Sequence, residues 1–108
     1  MDNFIAHFDA GAFQTEGPHP SQLLVSGSNG CTLGVTCCPD AAFGAPAVHE
    51  DQEGFVFVEG HGVALLDGKE YPVGPDTLMI LQPGVAHAFK RAADSPTLRY
   101  FWFHAAAN

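Results

Sequence analysis

The segment His49-Glu50-Asp51-Gln52-Glu53-Gly54 places an imidazole and a carboxylate four residues apart, with short acidic and amide side chains between them. On one straight strand the two groups would share a face but lie about 13 Å apart, at roughly 3.3 Å per residue, too far to hold one ion. A turn over residues 50–52 would instead bring His49 and Glu53 opposite each other on neighbouring strands. We therefore expect the chain to fold back on itself here.

The residues after Glu53 alternate between β-prone runs and turn signals. Asp67-Gly68 is the strongest short hairpin signal in the chain. Further tight turns are expected where Gly and Pro cluster, at 60–62, 74–76 and 82–84. The strands predicted between them are 55–58, 63–66, 69–73, 77–81 and 87–91. This short spacing leaves no room for a helix.

The flanking regions extend the same pattern. Strands are predicted at 22–25, 31–37 and 97–104, the last with apolar residues on both faces. Residues 1–21 read instead as an apolar arm that ends in Gly17-Pro18-His19-Pro20. Such an arm can cover the outside of a barrel or pair with the sheet of a second subunit, and we favour contacts within a homodimer.

Length and charge limit the classes of function. The 108 residues suffice for one domain, and 46% hydrophobic residues with nine Phe provide a core. Twelve Asp and Glu against four Lys and Arg give an acidic chain. That charge repels phosphate backbones and anionic lipid, so neither nucleic acid nor a membrane is an expected partner.

The amino-terminal sequence and the cysteines predict the cellular compartment. The chain does not begin with a basic segment followed by an apolar run, so a cytoplasmic location is expected. Its three cysteines include the adjacent pair Cys37 and Cys38, which would point to opposite faces of a strand. An odd number with this spacing predicts reduced thiols rather than a disulfide framework.

Two spacings resemble the motifs of the cupin superfamily. Glu53, six residues and then Gly60 resemble the end of the first cupin motif, and Pro83-Gly84, two residues and then His87 resemble the end of the second. The resemblance covers roughly residues 46–103. It implies an all-β fold, an antiparallel double-stranded β-helix or jelly-roll-like cupin barrel, spanning 22–104 of a single domain over residues 1–108.

The resemblance also implies a divalent metal in the lumen, held by three histidines and one glutamate. His49, Glu53 and His87 fall on three of these positions, but Ala47 stands where the family has its first histidine. A buried Glu53 needs a partner in any case, which is either a metal or a hydrogen-bond donor. His104 is a further candidate ligand, although the sequence does not show which face of its strand points inward.

Two nitrogens and one oxygen, with water in the open positions, describe a catalytic metal site, suited to Fe(II), Mn(II), Ni(II), Zn(II) or Co(II). Alternation along the strands would turn Phe55 and Phe57 inward with Glu53, and Phe89 and Arg91 inward with His87. These four residues are the predicted binding site for a small oxygenated ligand. Arg91 either pairs with a substrate carboxylate or is solvated at its strand end.

Two classes of function follow. One is a metal-dependent cupin enzyme, an isomerase or an oxygenase, with no covalent nucleophile, since no serine or cysteine has a recognisable neighbouring base. The other is a non-catalytic barrel, metal-free in the simplest case, that binds a sugar or small acid as a sensor. Ala47, and Arg91 in place of the asparagine of the second motif, favour the sensor.

Overall fold

A computed structural model describes residues 5–9 and 21–107. Most of the predicted amino-terminal arm, residues 1–4 and 10–20, lies outside the described residues. The described part contains strands and turns, with these bounds: β1 (Ser21–Ser26), β2 (Thr32–Cys38), β3 (Gln52–Gly60), β4 (Gly62–Leu66), β5 (Lys69–Val73), β6 (Leu78–Leu81), β7 (His87–Arg91) and β8 (Leu98–Ala105). Within it, the chain forms no helix of the length and apolar character that crossing a bilayer requires.

The strands form two sheets with antiparallel pairing throughout. One sheet has the order β1-β2-β8-β3-β6 and the other the order β5-β4-β7. The last strand in the sequence therefore lies at the centre of the larger sheet, between β2 and β3. This architecture confirms the predicted all-β fold and antiparallel double-stranded β-helix.

The strand bounds agree with the predicted ones to within a few residues, and β3 differs most. It begins at Gln52, three residues before the predicted run, and thereby carries Glu53 on a strand. The β4–β5 hairpin turns at Asp67 and Gly68, with φ angles of 48° and 84°. Positive φ at both central residues defines the twisted two-residue turn that an Asp-Gly pair predicts.

The core lies between the two sheets and is mainly aromatic. Phe57, Phe89 and Tyr100 contact one another with ring centroids 5.1–5.5 Å apart, and Leu98 is fully buried beside them. Burial of each such side chain stabilises the fold by roughly 1.5–3 kcal/mol. These side chains fill the interior around Phe57, so any open space lies further back along β3, towards Glu53.

The register of β8 settles which of its side chains point inward. Its pairs with β3 are Glu53 with His104, Phe55 with Trp102, and Phe57 with Tyr100. Directly paired residues of antiparallel strands share one face of the sheet. His104, Trp102 and Tyr100 therefore face the interior together with Glu53 and the two phenylalanines.

The three cysteines are free thiols, as the sequence predicts. Cys38 is fully buried, and its Sγ approaches the carbonyl oxygen of Phe89 at 3.7 Å. Cys37, its neighbour, is only half-buried. Burial raises the pKa of both thiols, so they remain protonated small hydrophobic side chains rather than a reactive pair.

Candidate metal centre

The turn predicted between His49 and Glu53 is present. The chain bends at Glu50 and Asp51, and β3 starts directly after it. We expected His49 on a neighbouring strand, but it lies in an irregular segment that is held beside β7. Ala47 exchanges backbone hydrogen bonds of 2.8 and 2.9 Å with His87, and the carbonyl of His49 accepts one of 2.9 Å from Gly84.

Two of the predicted ligands, His49 and His87, approach one oxygen atom of the third, Glu53. Oε1 of Glu53 lies 3.4 Å from Nε2 of His49 and 3.2 Å from Nε2 of His87. The ligand atoms of the three residues all lie within 4.8 Å of one another. Two atoms bonded to one ion at about 2.1 Å and at a right angle are about 3 Å apart. The cluster therefore has the dimensions of a coordination site.

The burial of Glu53 supports the same conclusion. Its side chain is only 10% exposed, and Oε1 is inaccessible to solvent. Among residues 5–9 and 21–107, no donor is aligned to form a hydrogen bond with this oxygen. Because an ionised carboxylate is costly to bury without a compensating partner, Oε1 requires a cation or a proton in the space between it and the imidazoles.

The tautomer of His87 directs a lone pair into that space. Nδ1 of His87 lies 3.0 Å from the carbonyl oxygen of Val85, and a carbonyl only accepts. Nδ1 therefore carries the hydrogen, and the neutral ring presents an unprotonated Nε2 to Glu53. A backbone carbonyl in this role is the usual support of a metal-binding histidine.

Without a metal, a proton satisfies the same pair. Burial lowers the pKa of His87, but the nearby carboxylate of Glu53 and the bond to the carbonyl of Val85 together outweigh it, so that the pKa is raised. The centre is thus built to hold positive charge beside Glu53. Either a proton or a divalent ion can supply that charge.

His104 adjoins the centre from β8. Its Nε2 lies 3.2 Å from Oε2 of Glu53, the oxygen that His49 and His87 do not approach, and its Nδ1 lies 3.0 Å from Oδ2 of Asp51. The ring stands perpendicular to that of His49, with centroids 5.2 Å apart. Nearby, the side-chain amide of Gln52 donates to the carbonyl of Ala106 at 2.8 Å, which fixes the end of β8 against β3.

A cavity of about 510 Å³ opens beside these ligands. That volume is within the range of small-molecule sites, which is about 300–1,000 Å³. Its wall is aromatic and aliphatic around the three histidines and Glu53, and includes the following residues: Ala45, Ala47, Phe55, Phe89, Tyr100 and Trp102. The wall is well suited to exclude water from the ligand atoms.

Thr36 adds a polar point to this wall. Its Oγ1 accepts a hydrogen bond of 3.0 Å from Nε1 of Trp102, and it also bonds the phenol of Tyr100. Burial raises the pKa of Tyr100, so its hydroxyl stays protonated at neutral pH. Trp102 itself packs over Gly34, where a Cβ would overlap the indole ring.

The predicted ligand-contacting residues have different locations. Phe55 and Phe89 line the cavity, whereas Phe57 is fully buried in the core behind it. Arg91 is not among the lining residues, because its guanidinium donates to the carbonyl oxygens of Pro39 (2.7 Å), Ala92 (3.2 Å) and Ser95 (3.1 Å). These contacts brace loops at the far end of β7.

Thr36, Tyr100 and Trp102 line the cavity but were not predicted to do so, and Asp51 was predicted only as part of a turn. Knowing one residue pair between β3 and β8 would have identified Tyr100 and Trp102, since both alternate with His104 in the sequence. Asp51 carried no comparable signal.

Comparisons with known proteins agree on the fold. The family model described as "Cupin domain" matches residues 35–104. A protein from Photorhabdus luminescens has a solved structure that is 14% identical, with a TM-score of 0.80, covering 97% of this chain and 89% of that one. For a Cupin 2 conserved barrel domain protein from Salinispora arenicola, the identity is 16%, the TM-score 0.79 and the coverage 95% and 88%.

The polyketide cyclase RemF from Streptomyces resistomycificus is also similar in structure, at 17% identity and a TM-score of 0.74, with 94% of this chain and 79% of that chain covered. At these identities the likeness concerns the fold alone. No curated protein matches the chain in sequence.

Proposed function

Because this chain belongs to the cupin domain family, we propose that its lumen binds one divalent transition metal on His49, Glu53 and His87. The observation that carries the proposal is the buried Oε1 of Glu53, which has no aligned donor among the described residues and faces Nε2 of two histidines. Fe(II), Mn(II), Ni(II), Zn(II) and Co(II) all accept such a mixed nitrogen and oxygen set.

The cavity beside the ligands has room for a substrate next to the proposed metal. A small molecule with a carbonyl or hydroxyl oxygen fits a space of about 510 Å³ with apolar walls and few polar points. We propose an isomerase or an oxygenase acting on such a molecule. When bound, the metal supplies Lewis acidity at that oxygen, or a binding position for dioxygen if it is iron.

The protein's own residues bind and orient this ligand. Phe55 and Phe89 exclude water, and Thr36 with the protonated hydroxyl of Tyr100 offers a hydrogen-bonding point on the cavity wall. In the metal-free protein, the raised pKa of His87 favours a proton on Nε2, beside Glu53. Metal binding must displace that proton.

Metal titration of untagged, chelator-treated protein tests the proposal. We expect one ion per chain for at least one of the five metals, and loss of binding in His87→Ala and Glu53→Gln. His61→Ala is the matched control, since His61 is exposed and is not one of the clustered ligands, and it should bind like wild type. Protein that stays metal-free with every ion would remove the basis of the proposal.

Ala47 favours a second candidate, the non-catalytic barrel. Its methyl group lines the cavity where the family's first histidine would stand, which leaves fewer ligands. A sugar or small acid would then bind in the same cavity without a metal. Stabilisation of metal-free His87→Ala protein by such a compound, equal to that of wild type, would support this candidate.

We also propose the homodimer that the sequence suggests, in the reducing environment of the cytoplasm. The support is the outer face of the five-stranded sheet, where β6 exposes 73% of Leu78 and 62% of Ile80. The paired residues of β3 and β8 beside them are also apolar, including Val56, Phe101 and Phe103. Contiguous apolar surface of this kind is typical of a protein interface.

A further inference from the structure

We infer that His104 is the fourth protein ligand of the centre and that Asp51 orients it, in place of the histidine that Ala47 replaces. The inference rests on the proposed metal site. It adds a ligand from β8, a strand outside both sequence motifs that resemble the cupin pattern.

Asp51 determines the tautomer of His104. Oδ2 of Asp51 lies 3.0 Å from Nδ1 of His104, and a carboxylate only accepts hydrogen bonds. The hydrogen of the neutral ring is therefore on Nδ1, and the lone pair is on Nε2. A carboxylate that fixes a histidine in this way is the arrangement that supports metal-binding imidazoles in many proteins.

The lone pair on Nε2 of His104 points towards Glu53. Nε2 of His104 faces Oε2 of Glu53 at 3.2 Å, so an acceptor meets an acceptor. The same relationship links His87 to Oε1, also at 3.2 Å. Both distances are close to the separation of about 3 Å expected for neighbouring atoms bound to one ion. Positive charge between the carboxylate and the rings satisfies each of these contacts.

His104 approaches Glu53 from a different side than the other two histidines do. His49 and His87 approach Oε1 of Glu53, and His104 approaches Oε2. The three rings therefore surround the carboxylate from both of its oxygens. Ala47 cannot contribute, since its methyl group has no donor atom and its backbone is already paired with His87.

The structure also shows why His104 is held in place. Its ring is only 21% exposed and lies between the ring of His49 and the indole of Trp102, with centroids 5.2 and 5.6 Å away. The bond from Gln52 to Ala106 fixes the adjacent backbone. A histidine incidental to the site would not need an acidic partner, two ring contacts and a fixed strand end.

Pulsed electron paramagnetic resonance of the Cu²⁺-loaded protein tests the inference, because it counts coordinated imidazoles directly. We expect three in wild type and two in His104→Ala. Titration with Cu²⁺ and Zn²⁺ should show at least a tenfold weaker affinity for His104→Ala, and about 10- to 100-fold weaker affinity for Asp51→Asn. Asp51→Asn preserves the size of the side chain, so it provides the test if His104→Ala does not fold.

Two imidazoles in wild-type protein would overturn the inference and leave the proposed metal site intact. His104 would then only hold Glu53 in position. Wild-type affinity in both variants would overturn it as well. Wild-type protein that binds neither ion would overturn the proposed function itself, an outcome distinct from the other two.

Discussion

Nε2 of His87 lies 3.2 Å from Oε1 of Glu53, and both side chains are at least nine-tenths buried. In the metal-free protein we expect the pKa of His87 to lie above its usual 6.5, since Glu53 and Val85 outweigh the effect of burial. NMR titration of the imidazole resonances measures it. In Glu53→Gln the pKa should fall, because burial then acts against a weaker partner; an unchanged value would contradict this account.

The same shift sets the pH dependence of stability without metal. A raised pKa in the folded state means that the stabilisation from His87 is complete below the unfolded pKa near 6.5 and is lost as pH rises through the folded pKa. The free energy of unfolding of wild type relative to His87→Gln should therefore decrease over that interval. Urea denaturation of chelator-treated protein at a series of pH values measures the difference.

Metal affinity should have the opposite pH dependence. Because the ion must displace the proton held by His87, affinity should rise with pH by about tenfold per unit until the pH exceeds the raised pKa, and then level off. Calorimetric titration with Zn²⁺ in buffers of different ionisation enthalpy would also count the released proton. Affinity that does not change with pH would contradict a role for His87 as ligand.

Trp102, the one tryptophan of the chain, should report metal binding. Its ring lies 5.6 Å from that of His104, centroid to centroid, at the cavity wall. Binding of Ni²⁺ or Co²⁺, which have unpaired electrons, should quench its fluorescence. Zn²⁺, with a filled d shell, is the control and should quench little. Equal effects of Ni²⁺ and Zn²⁺ would mean that the ions bind elsewhere.

Arg91 should matter for stability and not for the site. Arg91→Ala removes the donor to the carbonyls of Pro39, Ala92 and Ser95, and we expect a loss of about 1–3 kcal/mol in the free energy of unfolding. Metal affinity should remain that of wild type. Lys69→Ala, which removes an exposed cation, should change stability by less than about 0.5 kcal/mol. Loss of ligand binding in a stable Arg91 variant would restore its predicted substrate contact.

The homodimer is tested at the edge strand of the larger sheet. Ile80→Asp places a charge in the proposed interface, so sedimentation at micromolar concentration should change from dimer to monomer. Tyr71→Asp on β5 of the smaller sheet is the matched control, since Tyr71 is 43% exposed, and it should remain dimeric. Wild-type protein that sediments only as a monomer would disprove the dimer.

Local signals in the sequence were sufficient to predict the strands and turns. Asp67-Gly68 predicts its hairpin because both residues tolerate positive φ, and the β-branched and aromatic runs predict the neighbouring strands. The convergence of His49 and Glu53 was also predictable, because no extended chain allows both to reach one ion. Each of these conclusions depends on residues that are close in sequence.

Contacts between distant parts of the chain could not be predicted. Whether His104 faces inward depends on the register of β8 against β3, which no nearby residue fixes. Arg91 and His87 are an even number of residues apart on β7, so alternation places them on the same face. The guanidinium of Arg91 nevertheless donates to carbonyl groups of the loops at the end of β7. Strand alternation gives a direction for each side chain, but the contacts at the end of a strand depend on what folds against it.

The central position of β8 constrains how the protein is made. Strands β2 and β3 leave the ribosome well before β8, the strand that lies between them. The hydrogen-bond partner of Thr36, Trp102, is 66 residues later in the chain. Until β8 is synthesised, the two strands expose unpaired edges, and loop closure over this distance slows folding. His104 therefore joins His49 and His87 only after β8 has been synthesised.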